Sequence, residues 1–370
     1  MQAEVAAMLD NGKNEKYPTL LIDREKLLKN SRDIVRIAQK SDCRVWGVTK
    51  GLAGHPEVAR VFLEAGAEGI ADSRLANLKR MRADGITAPM MLIRIPMLSE
   101  LEELPLYADI SLASDMDALF MLDAICLSRG CQHGVILMID MGDLREGFCP
   151  GELKDAARKL RQLKGGVRVL GVGANFACAS GVLPSREKLE AMVAYRDEVQ
   201  REIGYPLEII SCGGTCCLKL FEQGLVPKGI NHFRVGEAMF LGIDSARMRT
   251  LPPLHRDSVR IAAQVVEVRC KPSKPDGKIG ADAMGHVVVF EDRGIRKRVL
   301  LGIGKQDISI EGLIPIDSGV EIVTASSDHL ILDVEDATRV FHYGDVVEFH
   351  LHYAEMMSAA VSPYMYIRVI

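Results

Sequence analysis

The sequence lacks any uncharged apolar run of the ~18 residues that a membrane-spanning helix requires. Residues 1–16 also lack the basic start and apolar core of a signal peptide, and we expect them to form a polar leader. The formal net charge of −4 provides no basic excess for binding nucleic acid or an anionic membrane surface. We therefore expect a cytoplasmic protein with neither nucleic acid nor membrane as a partner.

Cysteine is present, but not at the spacings that bind metals. The nine cysteines include one adjacent pair, Cys216 and Cys217, and no Cys-x-x-Cys motif. An odd number of cysteines, most of them in apolar runs, is typical of reduced thiols in the cytoplasm. No His/Cys spacing resembles a zinc site, so we expect no metal ion.

Short apolar strands alternate with helical segments through residues 24–245. A chain of 370 residues is long enough for about two domains of ~100–200 residues each. We predict eight strands in this part, ending at Lys50, Asp72, Arg94, Ser114, Asp140, Asn175, Ser211 and Arg234. Alternation of this kind produces parallel β/α units. Eight units predict an α/β fold, a closed (β/α)8 TIM barrel, whose active site is built at the C-terminal ends of the strands.

Lys50 closes the predicted strand 44–50, and Gly51 and Gly54 follow it. Taken alone, a lysine at a strand end is more often an amine that simply reaches solvent. In a barrel, however, this position places the amine where the chemistry is carried out. Lys50 is therefore the leading catalytic candidate.

Glycines follow the last two predicted barrel strands. Gly213, Gly214 and Thr215 follow the seventh strand, and Gly236 follows the eighth. Such residues are common in ordinary turns, but they also let backbone amides approach an anion, and barrels often bind phosphate at these two loops. A lysine amine and a phosphate site in one barrel suggest pyridoxal 5'-phosphate, which needs both. A Schiff-base aldolase would also use such a lysine.

After about residue 245 the pattern changes to strands punctuated by glycine and aspartate. We predict a C-terminal all-β domain formed by residues 17–23 and 255–370, with no long helix in it. Its predicted strands lie at 260–268, 287–290, 299–303, 319–323, 329–334, 346–351 and 365–370. A strand at 19–23 could join this domain, since it precedes the barrel and needs a partner.

Several motifs occur in the order that one family shows. They are Val48-Thr49-Lys50, residues 139–148 (IDMGDLREGF), Ser211 with the glycines after it, Arg234-Val235-Gly236, and residues 327–334 (SDHLILDV). They resemble the Val-x-Lys, Asp-Thr-Gly-x-x-Arg-x-Gly-Phe, phosphate-loop, Arg-x-Gly and Met-Asp-Gln-x-x-Val-Asp motifs of the fold-type III pyridoxal-phosphate enzymes. This is the alanine racemase group, and the sequence looks closest to its ornithine racemase branch. The resemblance extends from Tyr17 to the end of the chain.

The resemblance implies roles for individual residues. Lys50 is expected to form the covalent link to the cofactor and to act as one of two proton-transfer bases. Arg234 is expected to hydrogen-bond the pyridine nitrogen, and Arg145 to lie near the phenolic oxygen and the substrate carboxylate. Asn175 takes the place where the family often has a histidine over the ring. The other expected cofactor contacts are Ser211, Gly213, Gly214, Thr215, Gly236 and Tyr364, although Tyr364 is equally consistent with an ordinary strand tyrosine.

The chain departs from the alanine-specific branch at two tyrosines. No tyrosine follows Lys50 at positions 51–54, and residues 303–307 (IGKQD) replace a Gly-Tyr-Ala-Asp run that supplies the second base. Racemisation needs a proton removed from one face of the α-carbon and delivered to the other. The candidates for the second base are Asp307, Lys305, Asp328 and His329. Asp307 could instead hold a cationic substrate side chain.

Ser327 and Asp328, with Arg145, are the expected substrate contacts. The family's β-domain residues reach the barrel of the partner subunit, so the resemblance implies a homodimer with shared active sites. The leading hypothesis is a racemase of a basic amino acid such as ornithine or lysine. The alternatives are a racemase of another amino acid, a D-threonine aldolase-like enzyme that needs a divalent metal, and a non-catalytic pyridoxal-phosphate-binding protein. The predicted β domain argues against a non-catalytic binding protein. The absence of the tyrosine that supplies the second base in the alanine-specific branch favours one.

Overall fold

The computed structural model describes residues 15–281, 284–285 and 287–370. The predicted leader, residues 1–16, lies outside the described residues except for its last two positions.

The described chain divides into two compact units. One unit is formed by Glu25–Arg256, and the other by residues 15–24 together with Asp257–Ile370. The first strand, β1 (Thr19–Ile22), therefore belongs to the same unit as the C-terminal strands.

Eight parallel strands form a closed barrel in the first unit. They are β2 (Arg44–Val48), β3 (Gly69–Asp72), β4 (Met90–Leu92), β5 (Ile110–Ala113), β6 (His133–Met138), β7 (Val167–Gly173), β8 (Ile209–Ser211) and β9 (His232–Val235). Each strand pairs with the next, and β9 closes the barrel on β2 with Phe233 opposite Val45. The predicted eight-stranded parallel barrel is confirmed.

One helix precedes the first barrel strand, and one helix follows each of the eight strands. They are α1 (Arg24–Gln39), α2 (Pro56–Glu64), α3 (Leu75–Ala83), α4 (Leu104–Tyr107), α5 (Met116–Ser128), α6 (Leu153–Leu160), α7 (Arg186–Ile203), α8 (Leu218–Glu222) and α9 (Glu237–Leu241). The Ser185 side chain accepts a hydrogen bond from the amide of Lys188 at the start of α7, and Gly204 ends that helix in the left-handed region. A hairpin of β10 (Ile243–Asp244) and β11 (Arg249–Thr250) follows α9. None of the helices in the described ranges has the length and hydrophobicity to span a bilayer.

Apolar side chains from alternating positions fill the barrel interior. Trp46, Met91, Leu112, Ile136 and Met138 belong to one buried cluster. Burying a side chain of this size stabilises the fold by about 1.5–3 kcal/mol relative to leaving it exposed. The barrel is therefore a packed core rather than a channel, and polar chemistry is confined to its ends.

One buried histidine makes the stability of the barrel depend on pH. His133 begins β6, and its Nε2 lies 3.0 Å from the hydroxyl of Ser111 on β5. Burial lowers the pKa of His133 to about 4 from 6.5. The unfolded chain therefore binds a proton between these pH values that the folded chain does not bind. This part of the stability is present above pH 6.5 and is lost as the pH falls toward 4.

We expect His133→Gln to flatten the pH dependence of stability on the acid side. The substitution removes a pH-dependent part of the free energy of unfolding that approaches about 3 kcal/mol at the low end of this pH range. Each unit of pKa difference between the folded and unfolded chain corresponds to about 1.4 kcal/mol. Denaturant unfolding at several pH values between 4.5 and 7 measures it, with the exposed His352→Gln as the control. Parallel profiles for wild type and His133→Gln would show that this side chain titrates normally.

Over its described residues, the second unit is an eight-stranded sheet with one helix. Its strands after β1 are β12 (Val259–Pro272), β13 (Ile295–Leu301), β14 (Ile314–Pro315), β15 (Glu321–Ala325), β16 (Leu330–Asp333), β17 (Val346–His350) and β18 (Tyr366–Val369). The spatial order is β14-β17-β12-β13-β16-β15, with β1 antiparallel to β12 and parallel to β18. The predicted C-terminal β architecture is confirmed.

Two features of this unit differ from the predictions. The strand predicted at 287–290 is wrong, since the structure has no strand there and leaves Val287 and Val289 72% and 91% exposed. None of the four apolar residues at 287–290 is buried, so this run has no core to pack against, and β12 pairs with β13. The expectation of an all-β domain is corrected by α10 (Tyr353–Val361), a nine-residue helix that buries Met356 and Ala359. Nine residues are too few to give a clear helical period in the sequence.

Candidate active site

Lys50 lies just beyond the C-terminal end of β2. The strand ends at Val48, so the prediction that Lys50 closes it is two residues too long, and Lys50 instead opens a turn of 3-10 helix. The buried Thr49 donates a hydrogen bond to Oδ2 of Asp72, the last residue of β3, over 2.7 Å. Asp72 also accepts from Nδ2 of Asn77 at 2.9 Å. The backbone that carries Lys50 is thus anchored to the neighbouring strand.

The surroundings of Lys50 favour its neutral amine. Burial lowers the pKa of Lys50, and the guanidinium groups of Arg145 and Arg234 lower it further. Asp72 and Cys178 oppose this effect. Because the unprotonated amine is the nucleophilic form, the site increases the reactivity of Lys50 toward a carbonyl group.

Arg145 lies in the loop that follows β6. Asp140, predicted as a strand end, comes two residues after the strand and accepts hydrogen bonds from the amides of Gly142 and Leu144 at 2.8 and 3.2 Å. Arg145 is exposed and forms an ion pair with Glu146, whose Oε1 accepts from Nη2 of Arg145 at 2.8 Å. The loop therefore presents a guanidinium group that is reachable from outside the barrel.

Arg234, predicted to be the last residue of its strand, lies within β9 one residue before the strand ends, and it is buried. Its Nε donates to the hydroxyl of Ser211 at 2.9 Å, and its Nη2 donates to the carbonyl of Ala174 at 2.8 Å and to Oδ1 of Asn175 at 3.1 Å. Burial lowers the pKa of Arg234, but a guanidinium group stays protonated in proteins. These bonds use Nε and Nη2, so within the described chain Nη1 is left for a further acceptor.

The loops after β8 and β9 are joined to each other. Gly213 has φ of 100°, which favours glycine, and its carbonyl accepts from the amide of Arg234 at 3.0 Å. The Thr215 hydroxyl accepts from the amide of Ala238 in α9 at 3.2 Å. A Cβ at Gly236 would lie 2.6 Å from the carbonyl oxygen of Val48, so only glycine fits. The close approach of these backbones brings Gly214 and Gly236 to the same end of the barrel as Lys50.

The candidates for the second base lie together in the second unit. The Asp307 carboxylate accepts from the amide of Gly304 at 2.8 Å. The amides of Lys305 and Gln306 donate to the carbonyls of Ser326 and Ser327, each at 3.0 Å. This pairing joins the loop of Asp307 to the loop that carries Ser327, Asp328 and His329. The structure therefore gathers these side chains in one unit and the cofactor candidates of the barrel in the other.

Tyr364 also belongs to the second unit. It lies in a turn before β18 and is 60% exposed, so the alternative of an ordinary strand tyrosine is wrong. Its proposed contact with the cofactor phosphate stays a prediction.

Two acidic residues of the 139–148 motif have structural contacts that sequence reasoning missed. Glu146 accepts from Nδ2 of Asn175 at 2.6 Å and so connects the loops after β6 and β7. The buried Asp143 accepts from the amides of Cys178, Ala179 and Ser180 at 3.2–3.3 Å. The motif marked this loop as a candidate in the sequence. The contacts of Glu146 and Asp143, however, depend on how the loops after β6 and β7 fold against each other.

No group of three or more His, Cys, Asp or Glu side chains within the described ranges is placed to hold a metal ion.

The chain belongs to the alanine racemase N-terminal domain family, whose sequence profile matches residues 22–244. It is 40% identical over 349 residues to the lysine racemase of Thermotoga maritima, covering 94% of this chain and 97% of that protein. It is 37% identical over 350 residues to the ornithine racemase of Acetoanaerobium sticklandii, covering 94% of this chain and 98% of that protein. Among solved structures, the alanine racemase of Streptomyces lavendulae superposes with a TM-score of 0.72 at 18% identity, covering 96% of this chain and 98% of that one. This last similarity concerns the fold alone.

Proposed function

We propose that the protein is a pyridoxal 5'-phosphate-dependent racemase that interconverts the L and D forms of a basic amino acid such as lysine or ornithine. The observation that carries this proposal is the near-complete alignment with a lysine and an ornithine racemase at 40% and 37% identity. The convergence of Lys50, Arg145, Asn175 and Arg234 at one end of the barrel supports it independently.

The residues at this end of the barrel fit pyridoxal phosphate. The cofactor needs an amine for its aldehyde, a partner for its ring nitrogen and an anion site for its phosphate. Lys50 offers an amine with a lowered pKa, and Arg234 has Nη1 left for an acceptor. The joined glycine loops at 213–215 and 236 allow a phosphate to approach their backbone. When bound, the cofactor withdraws electrons from an attached amino acid and so acidifies its α-hydrogen.

We assign roles to the side chains of the barrel on this basis. Lys50 holds the cofactor and moves the α-proton on one face of the substrate. Arg234 donates a hydrogen bond to the ring nitrogen and cannot accept a proton from it, which keeps the ring largely neutral. Arg145 binds the substrate carboxylate and lies near the phenolic oxygen, with Asn175 beside it. The phosphate contacts are Ser211, Gly213, Gly214, Thr215, Gly236 and Tyr364.

Proton transfer on the second face of the α-carbon requires a second base, and none of the barrel residues above is given that role. Asp307, Lys305, Asp328 and His329 are the candidates, and Ser327 and Asp328 are proposed substrate contacts. A carboxylate in this set also suits the cationic side chain of a basic amino acid. We propose that the partner subunit of a homodimer supplies these residues.

The experiment that tests the function is a substrate panel. Purified protein loaded with pyridoxal phosphate is incubated with L- and D-forms of lysine, ornithine and other amino acids, and optical activity is followed by circular dichroism. We expect signal loss from both enantiomers of lysine or ornithine at rates well above those for alanine. A chelator should leave these rates unchanged.

The other outcomes distinguish the alternatives. Cleavage of a β-hydroxy amino acid that a chelator abolishes would indicate an aldolase. Racemisation confined to a non-basic amino acid would replace the proposed substrate class. Cofactor binding without exchange of the α-hydrogen for deuterium in any substrate would indicate a binding protein.

A further inference from the structure

Glu146 contacts two of the residues proposed to surround the cofactor. Its two carboxylate oxygens pair with the guanidinium of Arg145, through Nη2 at 2.8 Å and through Nε. Its Oε1 also accepts from Nδ2 of Asn175 at 2.6 Å. Charge-assisted contacts of this kind are among the stronger hydrogen bonds in proteins and restrict side-chain geometry.

The contacts of Asn175 fix the orientation of its amide. Its Nδ2 donates to Glu146, and its Oδ1 accepts from Nη2 of Arg234 at 3.1 Å. A carboxylate can only accept and a guanidinium can only donate, so a flipped amide would oppose both neighbours. Glu146 and Arg234 together therefore determine which end of Asn175 faces which residue.

Glu146 also balances charge at the site. Arg234 is buried, and its direct acceptors are the neutral Ser211 hydroxyl, Ala174 carbonyl and Asn175 amide. Burying a cation is costly unless negative charge compensates it. The carboxylate of Glu146 lies at the other end of the Asn175 amide and also neutralises Arg145.

We infer that Glu146 is a positioning residue of the proposed reaction. Its carboxylate orients Asn175, holds Arg145 and, through the Asn175 relay, sets the proton affinity of the bound cofactor. This inference rests on the proposed function, because it concerns the protein with pyridoxal phosphate bound.

The test is the pH midpoint of the visible absorbance change of the cofactor-loaded protein. Removing a negative charge disfavours the protonated form of a nearby group, so Glu146→Gln should lower the midpoint by on the order of 0.5–1 pH unit. Glu146→Ala should lower the midpoint by a similar amount, and it replaces the glutamine variant in this test if that variant does not fold. Glu146→Asp keeps the carboxylate and should restore most of the wild-type midpoint. The control is Glu152→Gln, an exposed residue that caps the amide of Cys149 and should change nothing.

A double-mutant cycle tests the relay. If Glu146 acts through Asn175, the effect of Glu146→Gln should fall by at least half in an Asn175→Ala background. An equal shift in both backgrounds, or no shift in loaded Glu146→Gln and Glu146→Ala, would overturn the inference while the proposed function stands. A wild-type protein that gains no visible band with pyridoxal phosphate would refute the proposed function and this inference with it.

Discussion

Lys50→Ala is expected to remove the visible absorbance that the wild-type protein gains with pyridoxal phosphate and to lower kcat by about 10³-fold or more. Alanine has no amine for the cofactor aldehyde and no group to move the α-proton on that face. The cations that lower the pKa of Lys50 are the guanidinium groups of Arg145 and Arg234, and a guanidinium group does not replace an amine in this role. Absorbance spectra and initial racemisation rates measure the two effects.

A matched control is Lys79→Ala, which removes an exposed lysine paired with Glu103. It should keep both the spectrum and the rate. A loaded Lys50→Ala protein with the wild-type spectrum and rate would remove Lys50 from the site, and the proposed function would need another lysine.

Arg234→Glu is expected to change the spectrum of the bound cofactor and to lower kcat by about 10²-fold or more. A carboxylate can accept a proton from the ring nitrogen, whereas the guanidinium can only donate. The substitution also removes the hydrogen bonds to Ser211, Ala174 and Asn175. A protonated ring withdraws more electrons, so we also expect products other than the mirror-image amino acid.

The control for Arg234→Glu is Arg168→Glu, an exposed arginine on β7 that pairs with Glu208. The same charge change there should leave the spectrum and the rates unaltered. Identical kinetics in wild type and Arg234→Glu would show that Arg234 does not face the ring.

The barrel could be predicted because its signal is repeated eight times. Each repeat joins a short apolar strand to a helix, and an error in one strand leaves the total unchanged. The ends of single strands are less certain, because strands such as β4 and β8 have only three residues. Lys50 accordingly lies two residues past β2, and Arg234 lies inside β9.

The contacts within the site could not be predicted, because they depend on loop conformation. The loop that carries Arg145 and Glu146 includes left-handed residues at Gly142, Leu144 and Gly147. No periodic pattern in the sequence specifies such a path. The resemblance placed Arg145 and Asn175 near the cofactor, but the Glu146 carboxylate between them is visible only when the loops after β6 and β7 are folded together.

The most direct measurement of the central claim is to identify the lysine that carries the cofactor. Protein loaded with pyridoxal phosphate is reduced with borohydride, digested and mapped by mass spectrometry. We predict one reduced phosphopyridoxyl group per chain, on the peptide that contains Lys50. A stoichiometric label on another lysine, or no label above that of a denatured sample, would contradict it.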